Sequence, residues 1–114
     1  MRDFDHVGIP TDDKQAGEMW VEATRVWVTN PIDHPYKVEY LRFEPDSPVT
    51  GPVRDLPHMA FQVSNLEEAM GDSPVLLGPF QANDNVRVVF VSKDGAVFEY
   101  MESKVGKDWH KAEV

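Results

Sequence analysis

The order of apolar and polar positions predicts a chain built mainly from short strands. Asp3–Pro10 reads as the first strand, and Lys14–Glu22 as a short helix weakened at Gly17, a poor helix former. Arg25–Thr29, rich in β-branched and aromatic residues, reads as a strand. Turn signals at Asn30-Pro31 and His34-Pro35 lead into another over Lys37–Phe43. The stretch from Asp46 to Pro52 is rich in turn formers and reads as a linker. Beyond it come a strand at His58–Val63, a helix at Leu66–Met70 stopped by Gly71, and strands at Pro74–Leu77, Arg87–Val91 and Ala96–Met101. Asp94-Gly95 is the hairpin turn between the last two. The pattern is α+β, with one helix per half lying on a mostly antiparallel sheet.

The two halves repeat each other. Asp5-His6-Val7-Gly8-Ile9 is echoed by Pro57-His58-Met59-Ala60-Phe61: a His, an apolar residue, a small one, an apolar one. A capping-box spacing follows each copy, Asp12 with Gln15 and Ser64 with Glu67. The halves also end alike, on Val38-Glu39-Tyr40-Leu41 and Phe98-Glu99-Tyr100-Met101. The expected organisation is one domain over residues 1–103, made of modules 2–45 and 56–103, with a C-terminal tail at 104–114.

Side chains alternate along a strand, so each repeat sorts its residues between two faces. His6 and Gly8 share one face of the first strand, and His58, Ala60 and Gln62 the matching face of its counterpart. The apolar faces should pack beneath the helices, leaving the His faces on the concave side, with Gly8 and Ala60 keeping space open beside each imidazole. Glu39 and Glu99 have the opposite parity to their aromatic neighbours. If those neighbours face the helices, two imidazoles and two carboxylates converge on one cavity. Imidazole and carboxylate together suit a divalent first-row metal with positions left for water or substrate.

Composition narrows the chemistry. There is no cysteine among the 114 residues, which removes disulfides, zinc-thiolate sites, iron–sulfur clusters and thiol nucleophiles. The net charge of −9 opposes binding to nucleic acid or to an anionic membrane surface. The longest aliphatic or aromatic run, Val88 to Val91, is too short to span a bilayer, and acids stand near the N-terminus where a secretory signal has an apolar run. A cytoplasmic location is expected.

The residues now named resemble the vicinal oxygen chelate superfamily, the glyoxalase I, fosfomycin-resistance and extradiol-dioxygenase group. Asp5–Ile9 is similar to its first metal-ligand strand, and Pro57–Val63 with Asn65-Leu66-Glu67-Glu68-Ala69 to its second. Asp94–Tyr100 is similar to its last hairpin, and Lys37–Leu41 to the end of its first module. The resemblance implies two βαβββ modules forming a cup around a divalent ion, Zn, Ni, Co, Mn or Fe. It implies His6, Glu39, His58 and Glu99 as the ligands. The activity it implies is that of a metal-dependent lyase, isomerase or epimerase acting on a small molecule with vicinal oxygens through an enediolate. Glu39 or Glu99 would carry the proton. An iron dioxygenase is a variant of this reading.

The alternative is a metal-free binding protein like the bleomycin-sequestering members, with Trp20, Trp27, Phe43 and Phe90 lining an apolar cleft. Gln62 is a candidate substrate contact, and Arg42 and Arg87 are candidate anion contacts. His34 and His110 are expected to be solvated, and Trp109 to dock on the domain or a partner subunit. One helix cannot cover both faces of a small sheet, so edge-to-edge pairing of modules is expected, within one chain or across a C2 homodimer.

Overall fold

The apolar runs of the sequence meet in one curved, mixed sheet of eight strands, described over residues 2–103 of a computed structural model. The strands are β1 (Arg2–Pro10), β2 (Met19–Val21), β3 (Val26–Val28), β4 (Val38–Phe43), β5 (His58–Val63), β6 (Val75–Asn83), β7 (Val86–Lys93) and β8 (Ala96–Ser103). Their order across the sheet is β2-β3-β4-β1-β5-β8-β7-β6. β1 runs parallel to β4 and β5 parallel to β8, while the remaining neighbours are antiparallel. The expected separate sheets are thus one continuous sheet. The expected tail, with His110 and Trp109, lies outside the described residues.

β7 sits in the most buried part of the sheet. Val86, Val88 and Phe90 pack on one face with Val97, Met101 and Val53, and Val89 and Val91 pack on the other with Tyr100 and Leu66. That second face is covered by α2 (Leu66–Met70), whose Leu66 is fully buried. Burying such a side chain contributes about 1.5–3 kcal/mol. The N-cap of α2 is Asn65, whose Oδ1 accepts a hydrogen bond from the Glu68 backbone N–H at 2.8 Å. The capping residue therefore stands one position after the Ser64 of the expected box. Val53 belongs to a four-residue helix, α1 (Pro52–Asp55), which begins at the last residue of the stretch that reads as a linker. The strand expected at Pro74–Leu77 runs on to Asn83, through a cis Gly78-Pro79 bond and several register shifts.

The helix expected over Lys14–Glu22 is not formed. Gly17 adopts φ +75°, outside the right-handed helical region. The Glu18 carboxylate accepts from the Gln15 backbone N–H at 3.1 Å and takes both arms of the Arg42 guanidinium from β4 at 2.8 and 2.7 Å. Asp12 is no helix cap; the local bonds there are Asp13 N–H to Thr11 Oγ1 and the Gln15 side chain to the Asp13 carbonyl. Met19-Trp20-Val21 instead pairs with Val26-Trp27-Val28, and the two indoles meet with centroids 4.9 Å apart. A β-branched and aromatic ribbon of this kind gains more from cross-strand contact than from helical turns. The first half therefore lacks the helix that a βαβββ unit requires. Among the described residues, no helix is long and apolar enough to cross a membrane.

Gly17 distinguishes the two conformations experimentally. In a helix, Gly17→Ala would add about 0.5–1 kcal/mol of stability. At φ +75°, with nothing near an added Cβ, the substitution meets only backbone strain. The expected result is a loss of about 1–2 kcal/mol in urea denaturation; a gain would restore the helix reading.

Candidate metal centre

Two rows of residues across the middle of the sheet build the site. In one, β4, β1 and β5 bring Glu39, Gly8 and His58 into register. In the other, β1, β5 and β8 bring His6, Ala60 and Glu99 into register. Each row has an imidazole and a carboxylate flanking a small residue. The His58 ring leans over Gly8, and the side chains of the two rows meet.

His6 Nε2 lies 3.3 Å from Glu39 Oε1 and 3.5 Å from Glu99 Oε1. His58 Nε2 lies 3.9 and 3.1 Å from the same two atoms. All four side chains are buried, and the imidazoles cross edge to face with centroids 5.6 Å apart. The structure thus brings together every residue singled out as a ligand. The parity reading matches the packing of β8, whose Phe98 and Tyr100 lie with α2 while Glu99 points the other way.

The small residues act differently from the expectation. Each stands across from the imidazole of the other strand. A Cβ on Gly8 would collide with the His58 ring, and that ring is braced from another side by Phe90 at a centroid distance of 5.1 Å. Gly8 is not beside open space; its missing side chain is the room that His58 occupies.

Asp5 is the residue that the sequence reading overlooked. β1 carries a bulge between Phe4 and His6, so Asp5 has no partner in the β5 register. A bulge turns a side chain from its regular face, and here the buried Asp5 carboxylate accepts from His6 Nδ1–H at 2.6 Å. That bond fixes the ring and directs Nε2 at the two glutamates, the outer-shell arrangement common to metal-bound histidines. Gln62 Nε2 donates to the other Asp5 oxygen at 3.4 Å, and Ser103 Oγ donates to Gln62 Oε1 at 3.0 Å. Gln62 therefore supports His6 from behind. The one available signal was an acid immediately before a candidate ligand.

The electrostatics favour a cation. Three buried carboxylates, Asp5, Glu39 and Glu99, outnumber two imidazoles even if both are protonated. Burial alone would lower the His6 pKa, but the charge of Glu39 and the contacts with Asp5, Glu39 and Glu99 override it and push it up to about 12. Burial would likewise raise Glu99, yet the contacts from His58 and His6 hold its carboxyl well below the usual carboxylate range. Neither ring nitrogen of His58 closes a hydrogen bond, because the 3.1 Å approach to Glu99 is off hydrogen-bond geometry. A buried polar atom in that state costs about 1–3 kcal/mol unless something binds it.

The donor set fits a divalent ion. One ligand atom each from His6, Glu39 and His58 lies within 4.8 Å of the others, and Glu99 touches both imidazoles. Ligand atoms about 2.1 Å from a shared ion stand roughly 3.0–3.4 Å apart when adjacent. The imidazole–carboxylate separations of 3.1–3.9 Å are close to that spacing. Beside the cluster lies a cavity of about 320 Å³, with Glu39 and Glu99 in its lining. Trp20, Phe43 and Phe90 line it too, whereas Trp27 does not. Arg42 and Arg87 are also absent from its lining. Arg42 is taken by Glu18, and Arg87 by Glu67 and Glu102 at 3.1 and 3.0 Å, so neither serves as an anion contact there.

No family model and no curated protein matches the chain. Its fold is similar to the crystal structure of hypothetical protein BH1468 from Bacillus halodurans C-125, with a TM-score of 0.69 and 18% sequence identity over 94% of this chain and 98% of that one. The likeness concerns the fold alone.

Two outcomes follow from the geometry. Gly8→Ala is expected to lower stability by about 1–3 kcal/mol in denaturant titration, as overpacking does; an unchanged midpoint would mean that His58 is free to move aside. For the metal-free protein, the raised His6 pKa supplies stability that is fully present below its unfolded value of 6.5 and lost as pH rises toward about 12. The lowered Glu99 pKa supplies stability that is present above its unfolded value of 4.5 and lost as pH falls. Stability from this pair is therefore greatest between those two values. Denaturation midpoints measured from pH 5 to 9 should fall on the alkaline side, and His6→Gln should flatten that fall.

Proposed function

We propose that the chain is a vicinal-oxygen-chelate-type protein of two modules, in which His6, Glu39, His58 and Glu99 hold a divalent metal ion, and that it acts as a lyase, isomerase or epimerase on a small molecule with adjacent oxygens. One observation carries this reading: two imidazoles and two carboxylates, buried with an acidic excess, meet beside a cavity large enough for a small substrate. The order of the sheet also supports two modules, since β1 with β4 mirrors β5 with β8 across the central pair.

When bound, the ion supplies Lewis acidity toward adjacent oxygens. The rest of the chemistry belongs to the chain. Glu39 and Glu99 are the buried carboxylates of the cavity lining, so either one is placed to take a proton from carbon next to a carbonyl and return it. Asp5 keeps the proton of His6 on Nδ1, leaving Nε2 as the donor atom facing the cluster. All four side chains meet within one chain, so assembly as a homodimer supplies no missing ligand.

A second reading has one observation in its favour. His6, His58 and Glu39 form the two-histidine, one-carboxylate set of non-haem iron oxygenases. Glu99 in contact with both imidazoles argues against the open positions such a centre needs. A metal-free binding role fares less well, because it leaves the buried acidic excess uncompensated.

Purified protein dialysed against Zn, Ni, Co, Mn or Fe(II) and analysed by mass spectrometry should retain one ion per chain. Glu99→Gln should weaken retention by at least about 100-fold while leaving the fold intact, and Asp5→Asn by about 10–100-fold. The loaded protein should exchange the proton α to the carbonyl of a hydroxyketone into D2O, followed by proton NMR. Wild-type protein that retains no ion, or retention unchanged in Glu99→Gln, would overturn the assignment.

A further inference from the structure

We infer that the cavity selects a small uncharged molecule with an apolar body and rejects anions of the same size. The polar end of that ligand rests on the metal-centre reading; the preference along its body rests on the walls alone. At about 320 Å³ the cavity lies at the small end of ligand sites. Its walls come from Leu41 and Phe43 on one side and from Leu77, Phe80 and Val88 on the other. Among the described residues, no Lys or Arg lines it. The nearby guanidinium groups hold other partners: Arg42 pairs with Glu18, Arg25 pairs with Asp46 and stacks on the Trp20 ring, and Arg54 reaches the carbonyls of Val49 and Glu44 and stacks on the Phe43 ring, none of the three lining the cavity itself. The charged residues that do line the cavity are acids, with Glu22 and Asp84 exposed and Glu39 and Glu99 buried.

An anion entering this space gives up its hydration and meets no Lys or Arg among the described lining residues in return. The net charge of −9 opposes its approach as well. A divalent ion held between Glu39 and Glu99 is matched by their two charges, so it leaves no positive excess for a second anionic group on the ligand. Phosphate esters, nucleotides and dicarboxylates are thereby disfavoured. A neutral molecule with two adjacent oxygens at one end and hydrocarbon at the other satisfies both parts of the cavity.

A matched pair of chelators tests this. 4-Methylbenzohydroxamate and 4-carboxybenzohydroxamate share the same two-oxygen end and differ in charge at the other. In calorimetric titration of the zinc-loaded protein, the methyl compound should bind at least about tenfold tighter. Phe80→Lys, which places a cation in the wall, should reverse the preference. Equal or tighter binding of the carboxy compound to wild type would overturn the inference, as would failure of both to bind a zinc-loaded protein; the metal centre would stand in either case.

A metal-free arm separates the two readings. 4-Methylbenzamide should shift the methyl NMR signals of Leu41, Leu77 and Val88, and 4-methylbenzoate should not. If the protein takes up no zinc, the metal-centre reading fails and this arm alone decides. Shifts from the amide alone uphold the neutral preference, whereas shifts from the benzoate, or from neither, overturn it.

Discussion

Antiparallel pairing of β1 with β5 sets Gly8 against His58 and Ala60 against His6. A slip of one residue between these strands would put the two imidazoles on opposite faces of the sheet. The parallel neighbours complete the arrangement, because β4 places Glu39 beside Gly8 and β8 places Glu99 beside Ala60. The convergence of four buried side chains from four strands thus depends on one central register. The same pairing contains the bulge at Asp5, without which that carboxylate would follow the regular alternation away from His6.

Register alone does not make such a cluster tolerable. Concentrating three carboxylates and two imidazoles at less than a tenth exposure each works only if positive charge is present among them. A proton on His6 meets part of that need, and a divalent ion meets it more fully. Proton and ion compete for the same imidazole, so in the proposed reading uptake of the ion releases a proton and strengthens as pH rises. Val86, Val88, Phe90 and Met101 of the hydrophobic cluster line the same cavity as Glu39 and Glu99. The cost of holding them in place is carried by the fold before any ion or substrate arrives.

The convergence of His6, Glu39, His58 and Glu99 was legible in the sequence because strand parity is strict and the repeat supplied two independent copies of the pattern. The helix expected at Lys14–Glu22 failed for a reason that is not local. Glu18 is drawn to Arg42 on a strand more than twenty residues away, and Trp20 finds Trp27 across a ribbon. Asp5 escaped notice because parity assigns it to the wrong face, and a bulge leaves little trace in a single sequence. Strand parity offers Gln62 to a substrate, whereas its partners are Asp5 and Ser103, a distinction that needs the distances. α1 hid in a segment whose Gly and Pro content signals turns equally well, although Val53 within it is part of the core.

The cluster and the cavity differ in symmetry, and that difference bears on the proposed chemistry. The two rows Glu39–Gly8–His58 and Glu99–Ala60–His6 are close to equivalent, so by themselves they present two interchangeable carboxylates to a bound molecule. The walls are not equivalent. On one side they come from the short β2–β3 ribbon and β4, with Trp20 and Phe43; on the other from the long irregular β6 and β7, with Leu77 and Phe80. In the proposed reading, a substrate seated by those walls would meet Glu39 and Glu99 on different sides of its carbon skeleton. In that reading, divergence of the two halves outside the rows is what would turn a symmetric set of ligands into a centre able to move a proton on one chosen face.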